Sequence, residues 1–181
     1  RTHKIIPTKE CKIQDELSQK IASSIYEWIC ENKIKVYNEV KLEGSIRHIV
    51  IRIGKKTNEV MVTLVTNTKK IEKENELVEY LILKYPEIKT IVKNINSKNT
   101  NVILGSENEI LFGKGYIYDY LGEYKFKISP MSFYQVNQIQ TEKLYSKAVE
   151  YAELTGSDTV FDLYCGIGTI GIFASKNVKQ L

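Results

Sequence analysis

The stretch Asp162-Leu163-Tyr164-Cys165-Gly166-Ile167-Gly168-Thr169 holds the residue types and spacing that could do chemistry most directly in this 181-residue sequence. It reads as a strand end, a glycine-rich turn and a helix start. Glycines let a backbone come close to a ligand, and a helix start offers N–H groups without intrahelical partners. Continued to Gly171, the turn also spells G-x-G-x-x-G, the dinucleotide fingerprint. That match is weak alone. The acid that meets a dinucleotide ribose lies about twenty residues further on, which here falls past Leu181. Asp162 adds a charge argument. So close to the turn, its carboxylate would face the pyrophosphate of a dinucleotide, but it would not repel the cationic methionine end of S-adenosylmethionine. The residues therefore favour an S-adenosylmethionine-dependent methyltransferase. A dinucleotide-dependent oxidoreductase, or a ligand-free turn capped by Thr169, are the alternatives.

Other candidate groups are sparse. Cys11, Cys30 and Cys165 are far apart and odd in number, which is no disulfide framework and suits a reducing cytoplasm. Cys30 closes the apolar face of a helix and reads as core; Cys165 sits in the turn, where small size explains it. His3 and His48 have no second ligand at metal spacing and read as structural. The formal charge of +4 permits a phosphate-rich partner without demanding one. Arg47 and Arg52, on a strand, are better RNA contacts than the helix-start lysines Lys69, Lys70 and Lys73. Tyr116, Tyr118 and Tyr120 could stack unpaired bases, although a strand face packed in the core explains them more simply. No apolar run is long enough to span a bilayer, so no membrane partner is expected. The sequence opens on Arg1 rather than Met, as a segment of a longer protein would.

The elements that must position these groups follow from periodicity. An amphipathic helix is expected over Cys11–Cys30, with Ile13, Leu17, Ile21, Ile25 and Ile29 on one face. Strands follow over Asn38–Ile53 and Glu59–Thr66, joined by the polar turn Gly54–Asn58. A helix from Thr68 to Lys84 stops at Pro86. Ile88–Ile95, Val102–Leu104 and Glu109–Phe112 read as short strands, with a polar loop over Asn94–Thr100. A hairpin pairs Tyr116–Tyr120 with Tyr124–Ile128 across Leu121-Gly122-Glu123. Asn137–Glu153 is helical, with Leu144, Ala148 and Ala152 aligned and Gly156 as its stop. Thr159–Tyr164 reads as a buried strand and Thr169–Lys176 as the start of a helix.

Several stretches together resemble the RNA uracil-5-methyltransferases that act on ribosomal and transfer RNA. They are Ile128-Ser129-Pro130-Met131-Ser132-Phe133-Tyr134-Gln135-Val136-Asn137, then Gln140-Thr141-Glu142-Lys143-Leu144-Tyr145, then the Asp162–Thr169 turn. Arg47–Arg52 and Thr100–Gly105 are similar to the family's middle domain, so the likeness covers nearly the whole chain. The resemblance implies S-adenosylmethionine as methyl donor and RNA as partner, ribosomal ahead of transfer RNA. It implies that Gln135 lines the cofactor and base site, that Tyr164 packs on the cofactor, and that Gly166 and Gly168 form its turn with a polar contact from Thr169. It also implies a cysteine thiolate that adds to C6 of uracil, and a base that removes the C5 proton. Both belong well downstream of the turn and are expected beyond residue 181; no catalytic residue is assigned within the chain. Around Ile5–Gln14, Cys11 is similar to the fourth ligand of an iron–sulfur site found in part of the family. Such a cluster takes four thiolates, so Cys11 is a possible metal ligand in a longer parent only.

The expected fold is an α+β middle domain over residues 1–130, followed by a truncated α/β Rossmann-like methyltransferase domain over 131–181. The alternative for the chain is an RNA-binding module that places substrate for catalysis elsewhere. An inner strand at 159–164 without its neighbours would invite strand-swapped association.

Overall fold

The structure, a computed structural model, describes residues 11–181. His3 and the Ile5–Glu10 part of the Cys11 segment lie outside the described residues. Helix α1 spans Glu16–Glu31. Its start is fixed by Asp15, whose carboxylate accepts from the N–H groups of Leu17 and Ser18 at 2.8 and 3.4 Å. Two donors that a helix start leaves free are thereby satisfied, which is why the helix begins there and not at Cys11. Ile21, Ile25, Trp28 and Ile29 are buried, whereas Ile13, ahead of the cap, is exposed. Cys30 is exposed as well, correcting its core assignment. One residue on from Ile29 it is turned by about 100° around the axis, off the apolar stripe.

Four strands form one mixed sheet: β1 (Ile46–Ile53), β2 (Val60–Thr66), β3 (Ile88–Ile95) and β4 (Glu107–Gly113), in that spatial order. β1–β2 and β3–β4 are antiparallel, and β2–β3 is parallel. The parallel pair is joined by α2 (Glu74–Lys84), which crosses over one face of the sheet. β2 is central and buried at every position. Its run Val60-Met61-Val62-Thr63-Leu64-Val65 suits a strand covered on both faces. Leu77 and Leu81 of α2 join Ile21 and Ile25 of α1 over Val62, Leu64 and Ile91. On the other face Met61 meets Ile117 and Ile128 of a hairpin, β5 (Ile117–Leu121) and β6 (Tyr124–Ile128). Lys93 of β3 is buried, its ammonium 2.8 Å from Glu74 and 2.9 Å from Glu109. Burial alone would lower its pKa, but the two carboxylates outweigh that and raise it.

Three expected elements are shorter or missing, each because side chains take backbone hydrogen bonds. Residues 38–45 turn instead of extending, since Asn38 accepts from Val40 and Lys41 N–H at 2.9 and 3.0 Å. α2 starts at Glu74 and not at Thr68, because the Thr66 and Thr68 hydroxyls donate to the carbonyls of Thr68 and Lys70. Val102–Leu104 is a loop: Asn96 Nδ2 donates to the Val102 and Ile103 carbonyls at 2.7 and 3.0 Å.

The C-terminal elements are α3 (Gln138–Tyr151) and α4 (Thr169–Ala174), followed by a single 3₁₀ turn. α3 buries Gln138, Thr141 and Tyr145, while Leu144 and Ala152 are exposed and Ala148 half-buried. The inward face is thus one residue away from the expected stripe, drawn by the aromatic cluster around Tyr145. The helix ends at Tyr151 with Glu153 in the left-handed region (φ 48°), short of Gly156. Residues 159–164 are not a buried strand. They pair at one end only, through Val160 N–H to Gln180 C=O at 2.9 Å, and Phe161 and Leu163 are exposed. A buried parallel strand needs partners on both edges. Among the described residues, only the 180 segment pairs with it.

Candidate cofactor site

The glycine turn is built from three left-handed residues: Tyr164 (φ 63°), Gly166 (φ 58°) and Gly168 (φ 77°). Each glycine has a separate reason. At Gly166 a Cβ would meet nothing within 4 Å, so the left-handed angle, not crowding, favours glycine, and open space lies before it. Gly168 is the N-cap of α4, and its N–H returns to Cys165 C=O at 2.8 Å. Gly171 has ordinary angles, but a Cβ there would stand 2.6 Å from Asp162 Oδ2. That oxygen accepts the Gly171 N–H at 3.1 Å. Asp162 therefore laces the helix to the segment before the turn.

Tyr164 holds a left-handed backbone with its ring fully exposed. Such a conformation costs about 1–3 kcal/mol in a non-glycine residue. The turn presents that ring to solvent rather than packing it. The Thr169 hydroxyl lies 2.9 Å from Tyr145 OH, which ties α4 to α3. Gln135 is half-buried in the irregular stretch between β6 and α3. The helix start is capped by Asn137, which accepts from Gln140 N–H at 3.1 Å, so Gln135 has no capping task. Its neighbour Tyr134 lies against Phe126, ring centres 6.0 Å apart. Tyr134 also shares a cluster with Tyr145, Ile167 and Phe173. Burial, first of all, raises its hydroxyl pKa. The two motifs that are distant in sequence thus rest on one aromatic cluster.

A residue not singled out in the sequence lies beneath them. Asp119 is fully buried. It accepts the N–H groups of Lys55 and Lys56, each at 3.0 Å, and the side-chain amide of Gln138. One carboxylate joins the β1–β2 turn, the hairpin and the start of α3. The available signal was an acid on the inward phase of Ile117-x-Asp119-x-Leu121.

Most of the other candidates have partners within the chain. Arg47 donates to the carbonyls of Asn96 and Lys98 at 2.6 and 2.9 Å and lies over the Tyr37 ring. Arg52 donates to Pro130 C=O at 3.2 Å. Lys69 pairs with Glu107, and Lys73 reaches Asn32. His48 is half-buried; burial, then the Arg47 charge, lowers its pKa. Among the described residues no cluster of His, Cys, Asp and Glu could hold a metal, and Cys11 stands as a single half-buried thiol. No described helix is long and apolar enough to cross a membrane.

No family model matches the chain. Curated relatives do. A protein of Clostridium tetani named as an uncharacterized RNA methyltransferase is 46% identical over 181 residues. One of Clostridium acetobutylicum with the same description is 49% identical over 181 residues. In both cases the match takes in 100% of this chain and 39% of the relative. Among solved structures, the chain is similar to Pyrococcus abyssi tRNA (uracil-54, C5)-methyltransferase in complex with S-adenosyl-L-homocysteine. The TM-score is 0.76 at 31% identity, covering 96% of this chain and 40% of that one. The likeness extends through both the mixed sheet and the glycine turn. Over its whole length, this chain is homologous to a segment, about two fifths in extent, of proteins of the RNA methyltransferase family.

Proposed function

We propose that the protein containing this chain transfers a methyl group from S-adenosylmethionine to C5 of uridine in RNA, ribosomal RNA being the first substrate to try. The observation that carries this reading is the open glycine turn in a chain 31% identical to a solved uracil-C5 methyltransferase with bound S-adenosylhomocysteine. The residues present fit the cofactor. Gly166 leaves space free of side chains, Tyr164 offers an exposed ring, and Asp162 places a carboxylate behind the turn that favours a cationic ligand.

When bound, S-adenosylmethionine supplies an electrophilic methyl group. The protein's own tasks are to bind and to orient. Gly166 and Gly168 bring backbone close to the ligand, and Tyr164 packs on it. Thr169, held against Tyr145 at the helix start, gives the ligand a polar contact, and Gln135 lines the shared cofactor and base site. Residues 1–130 serve as the central domain and 131–181 open the methyltransferase domain. Cys11, Cys30 and Cys165 are not the nucleophile, so residues 1–181 alone should transfer no methyl. To serve as an iron–sulfur ligand, Cys11 would need three further thiolates from elsewhere in the parent protein. Strand-swapped association of the isolated piece would have to form at the exposed 159–164 segment, which pairs only with the 180 segment among the described residues, and is to be read by sedimentation.

The test uses full-length protein, isotopically labelled S-adenosylmethionine and unmodified RNA. Nucleoside mass spectrometry should find 5-methyluridine, and mapping then separates ribosomal from transfer RNA. Methylation at another base or at ribose would overturn the assignment.

A further inference from the structure

The outer face of the β5–β6 hairpin combines rings and cations that the cofactor turn does not use. It also corrects the core assignment of the tyrosine stripe. Alternation buries Ile117, Asp119 and Leu121, leaving Tyr116, Tyr118 and Tyr120 half-buried on the opposite face. The register sets Lys127 across from Tyr118 and Lys125 across from Tyr120, and both lysines are exposed. Twist brings each cation onto a diagonal ring. Lys127 Nζ lies 4.0 Å from the centre of Tyr116, and Lys125 Nζ lies 4.2 Å from that of Tyr118. Tyr116 and Tyr118 meet edge to face at 5.3 Å. None of the three tyrosines joins a hydrophobic cluster among the described residues.

The platform is held from behind. Tyr118 N–H donates to Glu59 at 2.7 Å, and its carbonyl accepts from the Thr57 hydroxyl at 2.6 Å. Asp119 pins the same strand from the inner face. Tyr118 and Tyr120 repeat at about 7 Å along the strand, and the edge-to-face turn between Tyr116 and Tyr118 aims their ring faces in different directions, so each ring can take a separate base. Exposed cation–π contacts are weak enough for a base or a phosphate to replace them. The face has no aliphatic anchor of the kind a protein partner would bury. Its rings and cations match the two parts of a nucleotide.

We propose that this hairpin face binds single-stranded RNA, with bases stacked on Tyr116, Tyr118 and Tyr120 and phosphates held by Lys125 and Lys127. The proposal rests on the RNA methyltransferase reading. β6, which carries both lysines, runs directly into the segment carrying Gln135, so the face and that segment are neighbours along the chain.

The test uses full-length protein with a single-stranded oligoribonucleotide of about 12 nucleotides and a duplex of equal length. Tyr118→Ala should weaken single-strand binding about tenfold, while Tyr118→Phe, which keeps the ring, should stay within about twofold. Lys125→Gln with Lys127→Gln should reduce the salt slope by about 1.4. Retained S-adenosylhomocysteine binding shows that each variant is folded. Single-strand affinity unchanged in Tyr118→Ala, an equal loss on duplex, or an unchanged salt slope would each overturn the proposal. If wild type and variants methylate RNA with the same KM, the face proposal fails and the enzyme stands. If wild type neither binds RNA nor methylates it, both fail.

Discussion

Removing the Asp119 carboxylate should loosen the joint between sheet and C-terminal elements. In Asp119→Ala the N–H groups of Lys55 and Lys56 and the amide of Gln138 lose their acceptor. Hydrogen bonds to a charged group contribute about 1.5–3 kcal/mol each. Three at the low end give about 4.5 kcal/mol, but burying the carboxylate carries an opposing desolvation cost. The turn N–H groups can also regain water, so the net expectation is about 3 kcal/mol. Asp119→Asn keeps one accepting oxygen and turns the other position into a donor facing an N–H. It should cost about 2 kcal/mol. Trp28, the sole tryptophan and buried in the α1 face, reports urea unfolding by fluorescence. The midpoint should fall with little change in m. A double-mutant cycle with Gln138→Leu should give a coupling of about 1 kcal/mol or more. A loss below about 0.5 kcal/mol in Asp119→Ala, or no coupling, would refute the reasoning.

Three further outcomes are expected. Glu74→Ala should destabilise more than Lys93→Met in the same assay. The first leaves an ammonium of 2% side-chain exposure with Glu109 alone, whereas the second leaves carboxylates of 19% and 53% exposure that still reach water; the reverse order would contradict the account. His48 has a folded pKa below its ordinary 6.5. Its contribution is complete above pH 6.5 and is lost as pH falls through the lower folded value, so His48→Gln should flatten the pH dependence of stability in that window. Gly171→Ala gains about 1 kcal/mol of helix propensity. It loses more by forcing Asp162 Oδ2, 2.6 Å from the new Cβ, off the Gly171 N–H; thermal melting should show a net loss of about 1 kcal/mol.

Much of the fold is written in local pattern. The four-residue spacing of α1 from Leu17 through Ile21 and Ile25 to Ile29, the apolar run of β2 and the proline after α2 each allow one main outcome. Where periodicity overstated strands and helix α2, the deciding interactions were side chain to backbone. Asn38, Asn96 and Thr68 divert hydrogen bonds that periodicity assigns to strands or a helix. The hairpin shows a second limit. Alternation identifies two faces, but both carry aromatic or apolar residues, and only the presence of Met61 and Tyr134 on one side decides which is inward. At the site, Gly166 and Gly168 were legible because a positive φ favours glycine, whereas nothing in the pattern showed that Tyr164 shares that conformation. Asp119 was not, because its three partners come from residues 55, 56 and 138, far apart in the chain.

The central claim is that the Asp162–Thr169 turn belongs to an S-adenosylmethionine site. Calorimetry of the full-length protein with S-adenosylhomocysteine and, separately, with NAD tests it most directly, using Gly166→Val as the control that fills the open space before the turn. Saturable S-adenosylhomocysteine binding that the variant loses is the expected result, with no heat from NAD. Binding of NAD in preference, or S-adenosylhomocysteine binding untouched by Gly166→Val, would contradict it.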